Sequence, residues 1–160
     1  MVVSLQNIKS ALQDRKILAN NRERKFALVI IPETRIIGEP DIIDCSNGLE
    51  PVIIDIKTTR RLPNEPWLDN KLQMAVYVMG MRRLGFKSSY GVLKYQLVDD
   101  NSQTREFRIE VDDVLKQYLV DAVRNVSRII NGGEPVLTNN KKKCISCGYR
   151  NSCRWSLAKN

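Results

Sequence analysis

A chain of 160 residues, 42% of them hydrophobic, can bury one core and is short for two, so a single domain over 1–160 is expected, with its core at about 26–131 and a tail at 135–160. The formal charge of +8 favours an anionic partner, nucleic acid first, because each neutralised phosphate releases condensed counterions. No stretch is apolar and long enough to span a bilayer and no secretory leader is legible, so a cytoplasmic protein is expected, and the absence of histidine excludes Ser-His-Asp and Cys-His catalysis.

In chain order, residues 4 to about 20 place Leu5, Ile8, Ala11 and Leu12 on one helical stripe, which predicts an amphipathic helix. A basic connection, 20–25, leads to two β-rich segments, 26–31 and 34–44, separated by Pro32. After Cys45-Ser46-Asn47-Gly48 the apolar run 51–58 reads as a buried central strand. The period turns helical at 66–84, with Leu68, Leu72, Ala75, Val76 and Met79 inward, Pro66 in the first turn and Gly85 at the stop. Two more strands are expected at 90–98 and 104–111. A second helix runs from Asp112 or Asp113 to about Asn131, with Val114, Leu115, Tyr118, Leu119, Ala122, Val126 and Ile129 inward, and Gly132-Gly133 ends it. The order αβββαββα predicts an α/β fold, α+β by a stricter definition, in which a mixed sheet is flanked by helices.

Asp55 and Lys57 lie two apart on the expected central strand, so both leave it on one face, where an apolar run has no packing use for them. Such a pair can serve phosphodiester hydrolysis. The carboxylate holds a divalent cation, and the lysine steadies the attacking water or the developing charge. A second carboxylate is needed, and Asp41 on the preceding strand can supply it; oxygen ligands suit Mg²⁺ or Mn²⁺. Parity imposes a condition. A strict two-residue hairpin at Asn47-Gly48 sets Asp41 opposite Ile54 and turns Asp55 away, whereas an odd-length loop, or a bulge for which Pro40 is suited, pairs Asp41 with Asp55. The plain alternative is a strand-end ion pair with a surface acid nearby. Gln73 and Tyr77, four apart, share a helical face beside the apolar stripe, as an ordinary helix-flank pair also would.

Gly38-Glu39-Pro40-Asp41, Asp55-Ile56-Lys57-Thr58 and Gln73-x-x-x-Tyr77 together resemble the G-x-x-D, (D/E)-x-K-T and Q-x-x-x-Y series of the RecB-like nucleases in the PD-(D/E)XK superfamily, over about 26–84. The resemblance implies a restriction-endonuclease-like fold with Asp41, Asp55 and the Ile56 carbonyl as metal ligands. It also implies that Lys57 is the catalytic lysine and that Gln73 and Tyr77 orient substrate or active centre. The implied activity is a Mg²⁺- or Mn²⁺-dependent deoxyribonuclease acting on single-stranded DNA or DNA ends, in CRISPR adaptation or DNA repair. A catalytically silent nucleic-acid-binding module and a subunit of a larger DNA-processing complex are the alternatives.

Cys144-x-x-Cys147-x₅-Cys153 in the basic tail is spaced as a metal-binding thiolate cluster, with three free thiols as the alternative. The tail is similar to that of the CRISPR-associated Cas-four family, in which three C-terminal cysteines and one N-terminal cysteine hold an iron–sulfur cluster. This chain departs from that pattern: it has no cysteine ahead of Cys45 and no histidine ligand. Cys45 is therefore the tentative fourth ligand, or else a buried apolar thiol, and Cys₄ zinc is the other metal the four thiols could hold.

Overall fold

The computed structural model describes residues 17–20, 29–31, 36–46, 50–83 and 85–158. Among these, seven strands and three helices follow in the order β1 (Ile17–Asn20), β2 (Val29–Ile31), β3 (Ile36–Gly38), β4 (Ile42–Asp44), β5 (Val52–Thr59), α1 (Leu68–Arg83), β6 (Tyr90–Leu97), β7 (Thr104–Glu110), α2 (Asp113–Ile130) and α3 (Lys141–Ile145). The chain divides into two compact units, Met1–Val120 and Asp121–Asn160, each described by itself.

In the first unit, five strands form one sheet in the order β1-β4-β5-β6-β7, and β2 pairs with β3 in a separate ribbon. Strands β4 and β5 are antiparallel, β5 and β6 parallel, β6 and β7 antiparallel. The parallel pair needs a long crossover, and α1 supplies it. Fully buried Ile53 of β5, Leu93 and Tyr95 of β6, and Met74 and Val78 of α1 form the core between sheet and helix. The mixed sheet flanked by helices is the expected α/β arrangement.

Three local expectations are corrected. The first helix, drawn through Asn20, gives way by Ile17 to a strand: Ile17–Asn20 satisfies its backbone against the free edge of β4, and the apolar stripe of the expected helix stops at Leu12. The rest of that helix, 4–16, lies outside the described residues, as does 26–28 of the next strand. The segment 34–44 is not one strand, because Glu39-Pro40-Asp41 interrupts it; proline cannot donate to a ladder, so the chain leaves the ribbon at Gly38 and enters the main sheet at Ile42. In α1, finally, burial extends well beyond the expected stripe to Met74, Tyr77, Val78 and Met81, while Leu68 is exposed. The helix touches both the five-stranded sheet and the β2–β3 ribbon, so it is covered over most of its circumference and carries no clean amphipathic period.

Helix ends follow the chemistry of their residues. Asp112 caps α2 by accepting from the Leu115 amide at 2.7 Å. Gly132, at φ +86°, closes the helix, with its own amide on the Ile129 carbonyl and that of Gly133 on the Arg128 carbonyl. Only Leu115 and Leu119 of the α2 stripe are buried; Val114, Tyr118, Val126 and Ile129 remain exposed, since a period of 3.6 marks which face is apolar but not what covers it. In the second unit, α3 starts at an Asn140 cap and a run of turns follows, braced by the Arg154–Glu134 ion pair.

Gly91 on β6 marks the tightest approach of sheet and helix: a Cβ there would stand where the Met74 sulfur is, and Met74 is fully buried and cannot swing away. Gly91→Ala is therefore expected to lower the unfolding free energy by about 1–3 kcal/mol in urea titrations. An unchanged midpoint would contradict the close approach.

Candidate active site

Along β5 the side chains alternate, with Ile53, Asp55 and Lys57 on the α1 side and Ile54 and Ile56 on the other. Asp55 is 3% exposed, at the centre of the core sheet. Its Oδ2 lies 2.7 Å from the Lys57 ammonium. That contact is an ion pair rather than a directed hydrogen bond, and no other donor among the described residues is aligned on this buried oxygen. Lys57 is fixed from the other side as well, donating from Nζ to Gln73 Oε1 at 2.8 Å. Gln73 Nε2 in turn donates to the Tyr77 hydroxyl at 2.7 Å, and that hydroxyl donates to the Glu39 carbonyl at 3.1 Å.

The parity condition is met. The β4–β5 register pairs Ile42 with Ile54, Ile43 with Ile53 and Asp44 with Val52, with seven residues between Asp44 and Val52. The connection is odd in length, and the same register continued by one step sets Asp41 opposite Asp55. Over Ile42–Asp44 the β4–β5 ladder runs without a shift, so the odd loop alone sets this parity.

Pro40 has a different consequence. The N–H and C=O of one strand residue project toward the same neighbouring strand, and that side alternates along the strand. Ile56 donates its N–H to Asp41 Oδ2 at 2.7 Å, so its carbonyl also lies on the β4 side; Thr59, three residues on, bonds toward β6 by accepting from Val98. The residue opposite Ile56 in this register is Pro40, which has no N–H to give. The register thus offers the Ile56 carbonyl no ladder donor from Pro40, beside the Asp41 carboxylate, and this carbonyl is the one the resemblance implies as a metal ligand.

Gly38 completes the frame. A Cβ at this position would come within 2.5 Å of Tyr77 Cε1, so the aromatic ring stands where any other residue would put its side chain. Tyr77, expected beside the apolar stripe, is instead buried at 3% exposure, and burial pushes its hydroxyl above the usual tyrosine range, keeping it a neutral donor. The Gly38–Asp41 segment, the Asp55–Lys57 strand and the Gln73/Tyr77 helix are in this way joined in one connected set. The sequence offered Gly38 only as a position of the G-x-x-D series and Pro40 only as a candidate bulge; the packing of Tyr77 against Gly38 and the N–H that Pro40 lacks opposite Ile56 were missed.

The cysteines fall in both units, Cys45 in the first and Cys144, Cys147 and Cys153 in the second. Cys45 is buried at the end of β4, and desolvation, then the Asp44 charge, push its thiol up to about 11. Cys144 and Cys153 are half-buried and Cys147 exposed, with Cys144 and Cys147 joined by a turn in which the Cys147 amide donates to the Cys144 carbonyl. Among the described residues, no three cysteine or carboxylate side chains gather at metal-holding distance.

A mixed sheet with an Asp-x-Lys pair on its central strand and a second aspartate just ahead of the neighbouring strand is the arrangement of a PD-(D/E)XK nuclease. The model of the PD-(D/E)XK nuclease superfamily matches residues 5–154, and the chain belongs to that superfamily. It is 29% identical over 134 residues to the CRISPR-associated exonuclease Cas4 of Thermoproteus tenax, an alignment covering 82% of this chain and 66% of that protein. The crystal structure of SSO0001 shares the fold with a TM-score of 0.51 at 22% identity, over 76% of this chain and 52% of that one. The chain thus spans just under two thirds of the curated relative and about half of the solved structure.

Burial raises the Asp55 carboxyl above the usual carboxylate range; Lys57 opposes this and the Asp41 charge adds to it. A carboxyl raised in the folded state contributes stability below its unfolded pKa of about 3.9 and loses it as pH rises through the raised value. Metal-free Asp55→Asn, neutral throughout, is therefore expected to melt above the wild type at neutral pH, with the difference closing in acid. A wild type melting at or above the variant at pH 7 would contradict a destabilising buried charge.

Proposed function

We propose that the chain is a divalent-cation-dependent deoxyribonuclease acting on single-stranded DNA or DNA ends. The observation that carries this reading is the doubly held lysine beside Asp55 on β5, with the Asp41 carboxylate on the next backbone amide of that strand. Membership of a nuclease superfamily supports it, as does likeness to a protein named as a CRISPR-associated exonuclease.

The donor set fits a hard cation. Asp41 stands opposite Asp55 when the β4–β5 register is continued by one step, its carboxylate accepts from the Ile56 amide, Pro40 has no N–H to offer the Ile56 carbonyl, and Asp55 Oδ2 is buried with no aligned donor. Mg²⁺ or Mn²⁺ held there would polarise the phosphate and lower the pKa of a bound water. The protein's own contribution is positioning. Lys57 Nζ, pinned by Asp55 and Gln73, would stand beside the non-bridging phosphate oxygens. These gain negative charge as a water oxygen adds to phosphorus, while the P–O bond to the leaving nucleotide breaks and the proton lost by the water ends on the leaving oxygen. Gln73 fixes the lysine because Tyr77 fixes Gln73, and Tyr77 is anchored on the Glu39 carbonyl.

The tail cysteines Cys144, Cys147 and Cys153 enter the proposal as thiolate ligands of an iron–sulfur cluster, with zinc as the alternative. Their spacing supports this. Among the described residues no three such ligands gather, and burial raises the Cys45 thiol, so no step of the reaction runs through a cluster. CRISPR adaptation or DNA repair is the process we attach to the activity, with DNA and the proteins of those processes as partners and the cytoplasm as its place. No helix among the described residues is long and apolar enough to cross a membrane.

The test is degradation of end-labelled single-stranded DNA with Mg²⁺ or Mn²⁺. Asp55→Ala and Lys57→Ala, folded by circular dichroism, should each lower the rate by at least about a hundredfold, the scale on which charge stabilisation and proton transfer act. Tight DNA binding with no cleavage in any divalent metal would overturn the nuclease and leave a binding module.

A further inference from the structure

Beyond β5 the chain forms the loop 60–67, which borders a cavity of about 600 Å³ lined by Arg60, Arg61, Pro63, Asn64 and Trp67. Trp67 is 47% exposed, and both arginines are exposed with no ion-pair partner among the described residues. Exposed tryptophan is commonly left on a mobile loop, but here it is held. Its ring meets Tyr95 edge-on at 5.3 Å between centroids, and its amide donates to the Tyr95 hydroxyl. Arg105 of β7 clamps the same loop through the Pro63 carbonyl and Asn64 Oδ1, and Thr59 Oγ1 accepts from the Arg61 amide, ordering the turn that carries the two guanidinium groups.

The position of this surface relative to the active site follows from two registers. Tyr95 is the β6 partner of Lys57, so its side chain leaves the sheet on the face that carries Lys57. Trp67, Asn70, Gln73 and Tyr77 succeed one another at spacings of three, three and four, one face of a helix, and Asn70 donates to the same Tyr95 hydroxyl. Trp67 thus lies on the row that orients Lys57, about 9 Å along the helix axis from Gln73 at 1.5 Å per residue. A flat aromatic face, two cations with no ion-pair partner among the described residues and a preformed loop, on the helix row that leads to Lys57, are what a single strand needs: a platform for a base and charge for its phosphates.

We propose that Trp67, with Arg60 and Arg61, forms a subsite that stacks an unpaired nucleobase of the DNA strand next to the phosphate held at Lys57. The proposal rests on the nuclease reading above and names its substrate as single-stranded. A base still paired in a duplex has its face covered by its neighbours, so the subsite selects frayed ends and single strands over intact duplex.

The test uses the full chain in a Trp155→Phe background, which leaves Trp67 as the only tryptophan. With Ca²⁺ in place of Mg²⁺, oligo(dT) should quench Trp67 fluorescence, whereas an abasic oligonucleotide of the same length should bind without quenching. Trp67→Ala should weaken oligo(dT) binding about tenfold, as loss of one stacked base does, and leave abasic binding unchanged. Trp67→Phe should restore most of the affinity, which separates stacking from a folding defect. Binding and cleavage of oligo(dT) with no Trp67 quenching, or equal losses on both oligonucleotides, would overturn the subsite while the nuclease stands. Absence of both binding and cleavage would overturn the two together.

Discussion

A carboxylate buried in the middle of an apolar sheet has to be compensated, and the first unit of this protein is organised around that requirement. Asp55 is compensated by Lys57 on its own strand, two residues on, and Lys57 is held in turn by Gln73 from the helix above. Burial nevertheless leaves the Asp55 carboxyl raised, and one of its oxygens has no aligned donor. An additional positive charge beside that oxygen, as the proposed cation would bring, would offset the cost, and in that reading stability and function compete here.

The compensation is geometrically demanding, which accounts for residues that otherwise have no packing role. Tyr77 must stand where it can orient Gln73, so position 38 must be glycine. The hydroxyl of Tyr77 needs an acceptor, and the Glu39 carbonyl supplies it from the segment that then turns at Pro40 into β4. The same proline has no N–H to give the Ile56 carbonyl, while the Ile56 amide donates to the Asp41 carboxylate. One short segment, Gly38 to Asp41, therefore accommodates the aromatic ring, anchors its hydroxyl, frees a carbonyl and presents the second carboxylate.

Much of this was legible in the sequence, because the governing quantities are periodic. Two-residue spacing put Asp55 and Lys57 on one face, and four-residue spacing put Gln73 and Tyr77 on one face; side-chain parity made the odd β4–β5 connection a condition that the register meets. The helix ends at Asp112 and Gly132 were equally local. What could not be read depends on partners distant in the chain. The burial of Tyr77 requires the β2–β3 ribbon on the second side of α1, and the strand at Ile17–Asn20 requires the free edge of β4, neither of which leaves a trace in local hydropathy. The tail is the converse case: the spacing of Cys144, Cys147 and Cys153 suggests a shared ligand, whereas the described residues do not assemble one.

If Asp41 and Asp55 jointly define a cation site, each is needed for it. Titration of Mn²⁺ into the full chain, followed by electron paramagnetic resonance of the free ion, tests this most directly. The expected result is one binding event in the wild type that is lost in Asp41→Asn and lost equally in Asp55→Asn, both variants remaining folded. Undiminished Mn²⁺ binding in either variant would contradict the account.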